Sequence, residues 1–243
     1  MKVLIPAAGN SLFFKESFFP KLLVEISGVS MVERVMENLR TISEPQFLFI
    51  FKKEDVDKFH LDRTVKLLSD RVECIQLEGT NSGSVCSCLL ACDFIEDEQP
   101  LLILNSDQVL EVDYQEILDF FLEQNYNAGV VTFNSVHPRW AYVETVDGEP
   151  VQFSEKKPIS KNAIAGFYFF KNGRDFYEAA KKVLLKNNSL DGQFYLSSVM
   201  NELILERKTI GIYPLKEGQK YYSFYSIDRI KLFEKEVERL KNV

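Results

Sequence analysis

The sequence is poor in the residues that build disulfide or metal-held frameworks. Its 243 residues include four cysteines and two histidines. Cys86, Cys88 and Cys92 fall in one predicted helix without the paired Cys-x-x-Cys spacing of zinc sites, so we expect core thiols. His60 and His137 lie far apart in the chain, and nothing in their placement indicates a histidine-based nucleophilic site.

Basic excess and long apolar runs are also missing. The net charge is −7 and the pI is near 5.1, which argues against a nucleic-acid partner. The apolar run after Lys2 ends at Pro6, too soon for a signal sequence or a membrane span. We therefore expect a soluble, cytoplasmic protein with no membrane partner.

Apolar and aromatic residues are abundant enough to fill a large core. Hydrophobic residues make up 46% of the chain, including 20 phenylalanines and 10 tyrosines. No repeat, low-complexity tract or linker divides the sequence, so we predict a single domain spanning residues 1–243. The Phe-rich composition is compatible with a homo-oligomer but does not locate an interface.

Strand-like and helix-like segments alternate in the first half of the chain. Apolar runs predict strands at residues 2–5, 46–51, 71–77 and 100–104, with helices beginning near residues 31 and 53 and spanning 85–94. This alternation favours a parallel sheet with right-handed crossovers. The loops at 6–13, 79–84 and 105–108 would then meet in one crevice at the strand ends.

The second half has a different pattern, which predicts a mixed extension of the same sheet. Strands are predicted at residues 128–133, 140–144, 151–155, 163–170 and 209–213, and helices near 114–124, 174–186, 195–207 and 228–240. The last helix has the spacing of an amphipathic surface helix.

The loop after the first strand contains small residues and is followed by a lysine. Ala7, Ala8 and Gly9 allow backbone N–H groups to approach a phosphate closely, and Lys21 can supply a positive charge. The same pattern also opens ordinary α/β domains, so the loop alone does not decide between these interpretations.

Two later positions also suit a phosphate-binding crevice. Asp107 follows a buried strand, where a carboxylate can hold Mg²⁺ or simply cap a turn. Gly83 and Ser84 begin a predicted helix, whose free N–H groups can bind a nucleotide or remain without a ligand.

The order of these motifs is more specific than any one of them. Pro6-Ala7-Ala8-Gly9, a gap, and Pro20-Lys21-x-Leu23-x-Glu25-x-x-Gly28 resemble the signature of sugar-phosphate nucleotidyltransferases, the nucleoside-diphosphate-sugar pyrophosphorylases. Within that family the chain looks most like a bacterial branch associated with surface polysaccharides. The resemblance implies an α/β, Rossmann-like three-layer nucleotidyltransferase (GT-A-like) fold with a mixed, mainly parallel central sheet.

The resemblance also implies an activity and a set of site residues. The reaction would transfer a nucleotidyl group from a nucleoside triphosphate to a sugar 1-phosphate or a similar phosphorylated metabolite and release pyrophosphate. Mg²⁺ would be the cofactor, and the nucleotide-activated sugar would supply capsule or lipopolysaccharide synthesis. The implied residues are Lys21 and Asp107 in catalysis, with Asp107 also on the metal; Ala7, Ala8, Gly9, Gly83, Ser84 and Asn105 at the nucleotide; and Glu155, Lys156 and Gly166 at the sugar phosphate.

Two positions depart from the family pattern. Phe13 stands where relatives have an arginine on the first loop, and Ser223 stands where many have a second metal-binding aspartate. Three interpretations follow: an active nucleotidyltransferase, a non-enzymatic regulatory relative that binds a nucleotide or nucleotide sugar, and a glycosyltransferase. The segment Asn105-Ser106-Asp107-Gln108 lacks the Asp-x-Asp pattern usual in glycosyltransferases. The base and the sugar are not determined by the sequence.

Overall fold

A computed structural model of the chain describes residues 1–9, 18–80 and 82–241, with side chains described up to residue 239. The predictions concerning residues 10–14, Phe13 among them, lie outside these residues. In the described part, no helix is both long enough and apolar enough to cross a membrane.

One nine-stranded mixed sheet forms the centre of the molecule. The thirteen strands of the described chain are β1 Lys2–Pro6, β2 Glu25–Ile26, β3 Val29–Ser30, β4 Gln46–Lys52, β5 Val72–Leu77, β6 Leu101–Leu104, β7 Gln108–Leu110, β8 Ala128–Asn134, β9 Ala141–Val146, β10 Glu149–Glu155, β11 Asn162–Phe170, β12 Ile210–Pro214 and β13 Tyr221–Ser223. The main sheet runs in the order β10-β9-β11-β6-β1-β4-β5, and β8 joins β11 to β12.

The parallel part of the sheet is the part that the apolar runs predicted. β1 lies between β4 and β6, with Lys2 opposite both Gln46 and Leu101. Residues of β1, β4 and β6 are buried almost without a break, because helices cover both faces of the sheet. The strands from 128 onward pair mainly antiparallel, and β11 joins them to β6, with Phe167 opposite Leu104.

Helices form a layer on each side of the sheet. The eight helices of the described chain are α1 Met31–Asn38, α2 Lys53–Phe59, α3 Leu61–Leu68, α4 Ser84–Leu89, α5 Tyr114–Glu123, α6 Gly173–Leu185, α7 Leu196–Leu205 and α8 Ile227–Lys241. One buried cluster joins the sheet to α1, α3, α5 and α8, and a second joins it to α4, α6 and α7. The predicted three-layer α/β fold is confirmed.

Some element boundaries differ from the sequence prediction. The helix predicted over residues 85–94 is α4 only, followed by a 3₁₀ turn at Cys92–Phe94. The helix predicted from Lys53 ends at Phe59, because His60 adopts a left-handed conformation with φ +54°, and α3 begins after it. The four cysteines are free thiols, and Cys88 is fully buried in the second core cluster.

A two-stranded ribbon that the sequence did not predict joins the end of β6 to the C-terminal part. β7 and β13 pair antiparallel, with Ser223 opposite Gln108. The residue after β13, Phe224, donates its N–H to the Asp107 carbonyl at 2.8 Å. The ribbon therefore places the segment around residue 223 beside Asp107.

Candidate active site

The ends of three sheet strands meet at one edge and form a crevice. Because β1 and β6 are parallel neighbours, residues 7–9 and 105–107 leave the sheet side by side. β11 runs in the opposite direction and brings Gly166 to the same edge, where its carbonyl accepts the Asn105 N–H at 3.1 Å. The predicted convergence of the first and third loops therefore holds for the described residues.

Lys21 and Asp107 form an ion pair at this edge. The Lys21 ammonium contacts the Asp107 carboxylate, although 86 residues separate them in sequence. Lys21 is carried by a 3₁₀ turn at Lys21–Leu23, and Asp107 follows β6. Each side chain keeps about a fifth of its surface exposed, so both remain accessible from the crevice. The pair places a cation and a carboxylate together at the strand ends.

The loop residues Ala7 and Ala8 are held in place while Gly9 is open. The Ala7 N–H binds the Ile50 carbonyl at 2.9 Å, which continues the sheet by one residue. Ala8 is buried against the second core cluster, whereas Gly9 is exposed. Among the described residues, none has a heavy atom within 4 Å of the place where a Cβ of Gly9 would lie.

Gly83 and Ser84 pack closely against the segment that precedes α7. Gly83 has φ +110°, and a Cβ there would collide with the Phe194 backbone. The Phe194 carbonyl accepts the Val85 N–H at 3.2 Å and is 3.5 Å from the Ser84 hydroxyl. Some of the hydrogen-bonding groups that were predicted to bind a nucleotide are therefore used within the protein. Glycine is required at position 83 because a side chain there would collide with Phe194.

Gly166 is the point where β11 and the end of β6 are joined. It has φ +58° and lies in an irregularity between β11 and β8, between Ile164 and Tyr168. Its carbonyl accepts two hydrogen bonds, from the Asn105 backbone and from the Gln108 side chain, each at 3.1 Å. A Cβ at Gly166 would overlap the side chains of Asn105 and Gln108.

Glu155 and Lys156 are oriented by residues at the start of α7. The Ser197 hydroxyl donates to Glu155 Oε2 at 2.9 Å, and the Lys156 ammonium donates to the Tyr195 hydroxyl at 2.6 Å. The Tyr195 hydrogen bond raises the pKa of Lys156, so this side chain stays cationic. Lys156 also has φ +54°, a conformation that costs energy in a residue with a Cβ and is concentrated at functional positions.

Burial raises the pKa of Glu155, against the lowering effects of the Ser197 hydrogen bond and the Lys156 charge. A raised pKa in the folded state means that this group stabilises the fold below its unfolded pKa and loses that contribution as the pH rises through its folded pKa. Glu155→Gln, which can keep the Ser197 contact, should therefore be more stable than the wild type at about pH 8 and most similar to it near pH 4.

Urea midpoints across that pH range would measure the difference. Glu149→Gln, an exposed position at the start of the same strand, is the matched control. A difference between Glu155→Gln and the wild type that does not change with pH would contradict this account.

Ser223 lies next to Asp107, at the position that the resemblance assigned to a second aspartate. Its partner across the ribbon is Gln108, and the neighbouring Phe224 binds the Asp107 backbone. The hydroxyl of Ser223 carries no charge, so this place contributes no second carboxylate beside Asp107.

The crevice provides one accessible carboxylate, that of Asp107, as a ligand for Mg²⁺. Among the described residues, no three histidine, cysteine or acidic side chains are grouped so as to hold a metal by themselves. Mg²⁺ is commonly held by one or two carboxylates together with substrate phosphates and water, and the accessible Asp107 carboxylate provides one such ligand. The residues therefore fit a metal that is shared with a bound triphosphate.

Three residues of the crevice were not predicted from the sequence. Gln108 is buried and links Gly166 to Tyr221, whose hydroxyl lies 3.5 Å from Gln108 Oε1. Ser197 and Tyr195 hold Glu155 and Lys156. A polar residue within an apolar segment was the available signal for Gln108, whereas Ser197 and Tyr195 carry no local signal of their partners about 40 residues earlier.

Comparison with known proteins identifies the family. The nucleotidyl transferase family model matches residues 17–205. The chain is 26% identical over 209 residues to the bifunctional protein GlmU of Thermosipho africanus, across 82% of this chain and 43% of that protein. It is also 26% identical over 247 residues to the GlmU of Streptococcus equi subsp. zooepidemicus, across 96% and 50%. The chain thus spans about half the length of the curated relatives it matches.

A solved structure gives the same result for the fold. The nucleoside-diphosphate-sugar pyrophosphorylase from Vibrio cholerae superposes with a TM-score of 0.81 at 20% identity, covering 96% of this chain and 99% of that one. The family match extends over most of the chain, from before Lys21 to the end of α7, and includes Asp107, Glu155 and Lys156. The chain belongs to the nucleotidyl transferase family.

Proposed function

We propose that the protein transfers a nucleotidyl group from a nucleoside triphosphate to a sugar 1-phosphate or a similar phosphorylated metabolite. The observation that carries this proposal is the Lys21–Asp107 pair at the edge where β1 and β6 end. A cation and a carboxylate at the mouth of an α/β crevice suit a triphosphate with its metal. Lys156 provides a further cation for the acceptor phosphate.

The reaction requires one bond to form and one to break. An acceptor phosphate oxygen attacks the α-phosphorus of the triphosphate, and the bond from that phosphorus to the oxygen bridging to the β-phosphorus breaks, so that pyrophosphate leaves. Mg²⁺ bound with the triphosphate would neutralise charge that develops on the phosphates. No covalent enzyme intermediate is needed, so positioning and electrostatics provide the rate.

The side chains of the crevice have distinct parts in this proposal. Asp107 would hold the metal, and Lys21 would bind phosphate. The backbone around Ala7, Ala8 and Gly9, with Gly83, Ser84 and Asn105, would bind the nucleotide. Lys156, held cationic by Tyr195, would bind the acceptor phosphate, while the half-buried Glu155 carboxyl and the Gly166 backbone would bind the sugar.

Ser223 favours a second candidate, a relative that binds a nucleotide or nucleotide sugar without turnover and has a regulatory role. The place beside Asp107 lacks the second carboxylate, and the absence of one charged contact to the transition state can cost about 10²–10³ in rate. The two candidates predict the same ligands and differ only in catalysis.

Pyrophosphate release distinguishes these candidates. The full chain would be incubated with Mg²⁺, each common nucleoside triphosphate and a panel of sugar 1-phosphates, with thermal shifts recorded for the same ligands. We expect release with at least one pair. Thermal stabilisation by a triphosphate without release for any pair would favour the binding relative. Sugar transfer from a nucleotide sugar to an acceptor would indicate a glycosyltransferase instead.

Three wider predictions accompany this proposal. A single domain over residues 1–243 is supported by the central sheet, which takes strands from residue 2 to residue 214. The surface-polysaccharide branch, with a role in capsule or lipopolysaccharide synthesis, remains a prediction from the sequence resemblance. Cytoplasmic localisation likewise stays a prediction from the sequence.

A further inference from the structure

A pocket lined by arginine and aromatic side chains lies beside the crevice, between the β7–β13 ribbon, α8 and the turn before β9. Its volume is about 320 Å³, within the range of small-molecule sites. His137, Arg139, Trp140, Tyr225 and Arg229 are among the residues that line it. None of these residues was assigned a part in the nucleotidyl transfer described above.

The turn that carries Arg139 is held by several hydrogen bonds. The His137 carbonyl accepts hydrogen bonds from the Tyr142 hydroxyl at 2.6 Å and from the backbone N–H of Trp140 at 3.3 Å. The backbone N–H of Arg139 donates to His137 Nδ1 at 3.3 Å. Because Nδ1 accepts this bond, the other ring nitrogen of His137 carries the hydrogen and is a donor. These bonds fix the turn that carries Arg139.

Two guanidinium groups converge on Tyr225. Arg139 lies over the Tyr225 ring, and Arg229 donates to the Tyr225 hydroxyl at 3.1 Å. Burial raises the pKa of Tyr225, but the Arg229 hydrogen bond and the charges of Arg139 and Arg229 outweigh it, so that the pKa is lowered. The surroundings of this phenol are therefore electropositive.

These two cations have no acidic partner in the part of the chain that the structure describes. The ion pairs found there include neither Arg139 nor Arg229. Glu236 also lines the pocket, but its carboxylate is paired with Lys220. Two neighbouring positive charges repel each other, so an anion placed between them would gain from both.

The pocket borders the crevice in two places, at the Lys156 backbone and beside Asp107. Trp140 lines the pocket, and its carbonyl accepts the backbone N–H of Lys156 at 3.0 Å. Ser223 forms another part of the lining and lies beside Asp107. The pocket therefore adjoins the crevice in which the acceptor phosphate is expected.

We propose that the Arg139–Arg229 pocket binds a second anionic group of the acceptor, so that the acceptor is a sugar phosphate carrying an additional phosphate or carboxylate. This inference rests on the proposed function, because it assumes that the acceptor phosphate lies near Lys156. It narrows the substrate class from sugar 1-phosphates in general to those with two negatively charged groups. Arg139 and Arg229 would then select the acceptor.

Binding of matched sugar phosphates, measured without any triphosphate, tests the proposal. Calorimetry would compare glucose 1-phosphate with glucose 1,6-bisphosphate and glucuronic acid 1-phosphate, and mannose 1-phosphate with mannose 1,6-bisphosphate. In at least one pair, we expect the sugar with two anionic groups to bind about tenfold tighter or more than the sugar with one. A tenfold difference is about the size of one charge-assisted hydrogen bond. Arg139→Gln and Arg229→Gln should each reduce that preference to about twofold or less.

Two further variants make the comparison specific. Arg139→Lys keeps the charge but loses the two-pronged donor geometry, so its preference should be intermediate. Arg63→Gln removes the same charge from α3 outside the pocket and should leave the preference unchanged. Equal affinity for both members of every pair, or a preference that survives both Arg139→Gln and Arg229→Gln, would overturn the proposal.

A free anion is the other source of the same chemistry. If inorganic phosphate alone binds as tightly as the bisphosphates and with the same dependence on Arg139, the pocket takes a free anion and the acceptor assignment is wrong. A bisphosphate preference without nucleotidyl transfer for any triphosphate would reject the proposed function and leave the anion site standing. Transfer without such a preference would reject the pocket proposal alone.

Discussion

Asp107→Asn is expected to lower nucleotidyl transfer by at least about 10²–10³-fold in the presence of Mg²⁺. The substitution keeps the size of the side chain but removes the negative charge that would hold the metal. It also removes a carboxylate that competes with phosphate for the Lys21 ammonium. We therefore expect triphosphate binding to persist while turnover is lost, as measured by thermal shift and by pyrophosphate release.

Asp147→Asn is the matched control for this substitution. Asp147 is exposed in the turn between β9 and β10 and has φ +52°, a conformation that asparagine adopts readily. This variant changes the net charge by the same amount and should keep wild-type activity. Wild-type turnover in Asp107→Asn would remove Asp107 from the reaction, whatever the binding measurements show.

Gly166→Ala is expected to destabilise the fold by about 2–4 kcal/mol, the sum of left-handed backbone strain and overpacking. The added Cβ would overlap the side chains of Asn105, which follows β6, and Gln108, which begins β7. For a chain of this length the loss corresponds to a fall in melting temperature of about 5–15 °C. Because the displaced residues flank Asp107, we also expect lower turnover in the protein that remains folded.

Gly148→Ala separates strain from crowding. Gly148 has φ +85°, but in the described part of the chain no heavy atom lies within 4 Å of the place where its Cβ would be. Its substitution should cost about 1 kcal/mol, from backbone strain alone. Equal stability loss in Gly148→Ala and Gly166→Ala would show that the close packing at Gly166 contributes nothing, contrary to our account.

The strands and helices that were predictable are those whose burial can be inferred from a local pattern of apolar residues. Phe47 to Phe51 form an unbroken apolar run, and such a run is typical of a strand covered on both faces. The three-residue strands β7 and β13 were not predictable, because each is too short to show a period and they pair across about 110 residues. The break at His60 escaped prediction because a single left-handed residue has no strong sequence signal outside glycine and asparagine.

The candidate site divides in the same way. Lys21 and Asp107 were each recognisable from the motif around them, and the sequence pattern predicted that their loops meet at the strand ends. The partners of Glu155 and Lys156 were not, because Ser197 and Tyr195 reach them through the packing of α7 against β10. The pocket around Arg139 was also missed, since its other arginine comes from α8, 90 residues further on.

The sequence by itself determined the fold class and the family, because apolar periodicity and short ordered motifs are local properties of the chain. Only the tertiary structure decided that Ser223 lies beside Asp107, that Gly166 has no room for a side chain, and that Arg139 and Arg229 share one pocket. These are contacts between segments far apart in sequence, and their energies depend on distance and burial. Neither quantity can be read from the order of residues.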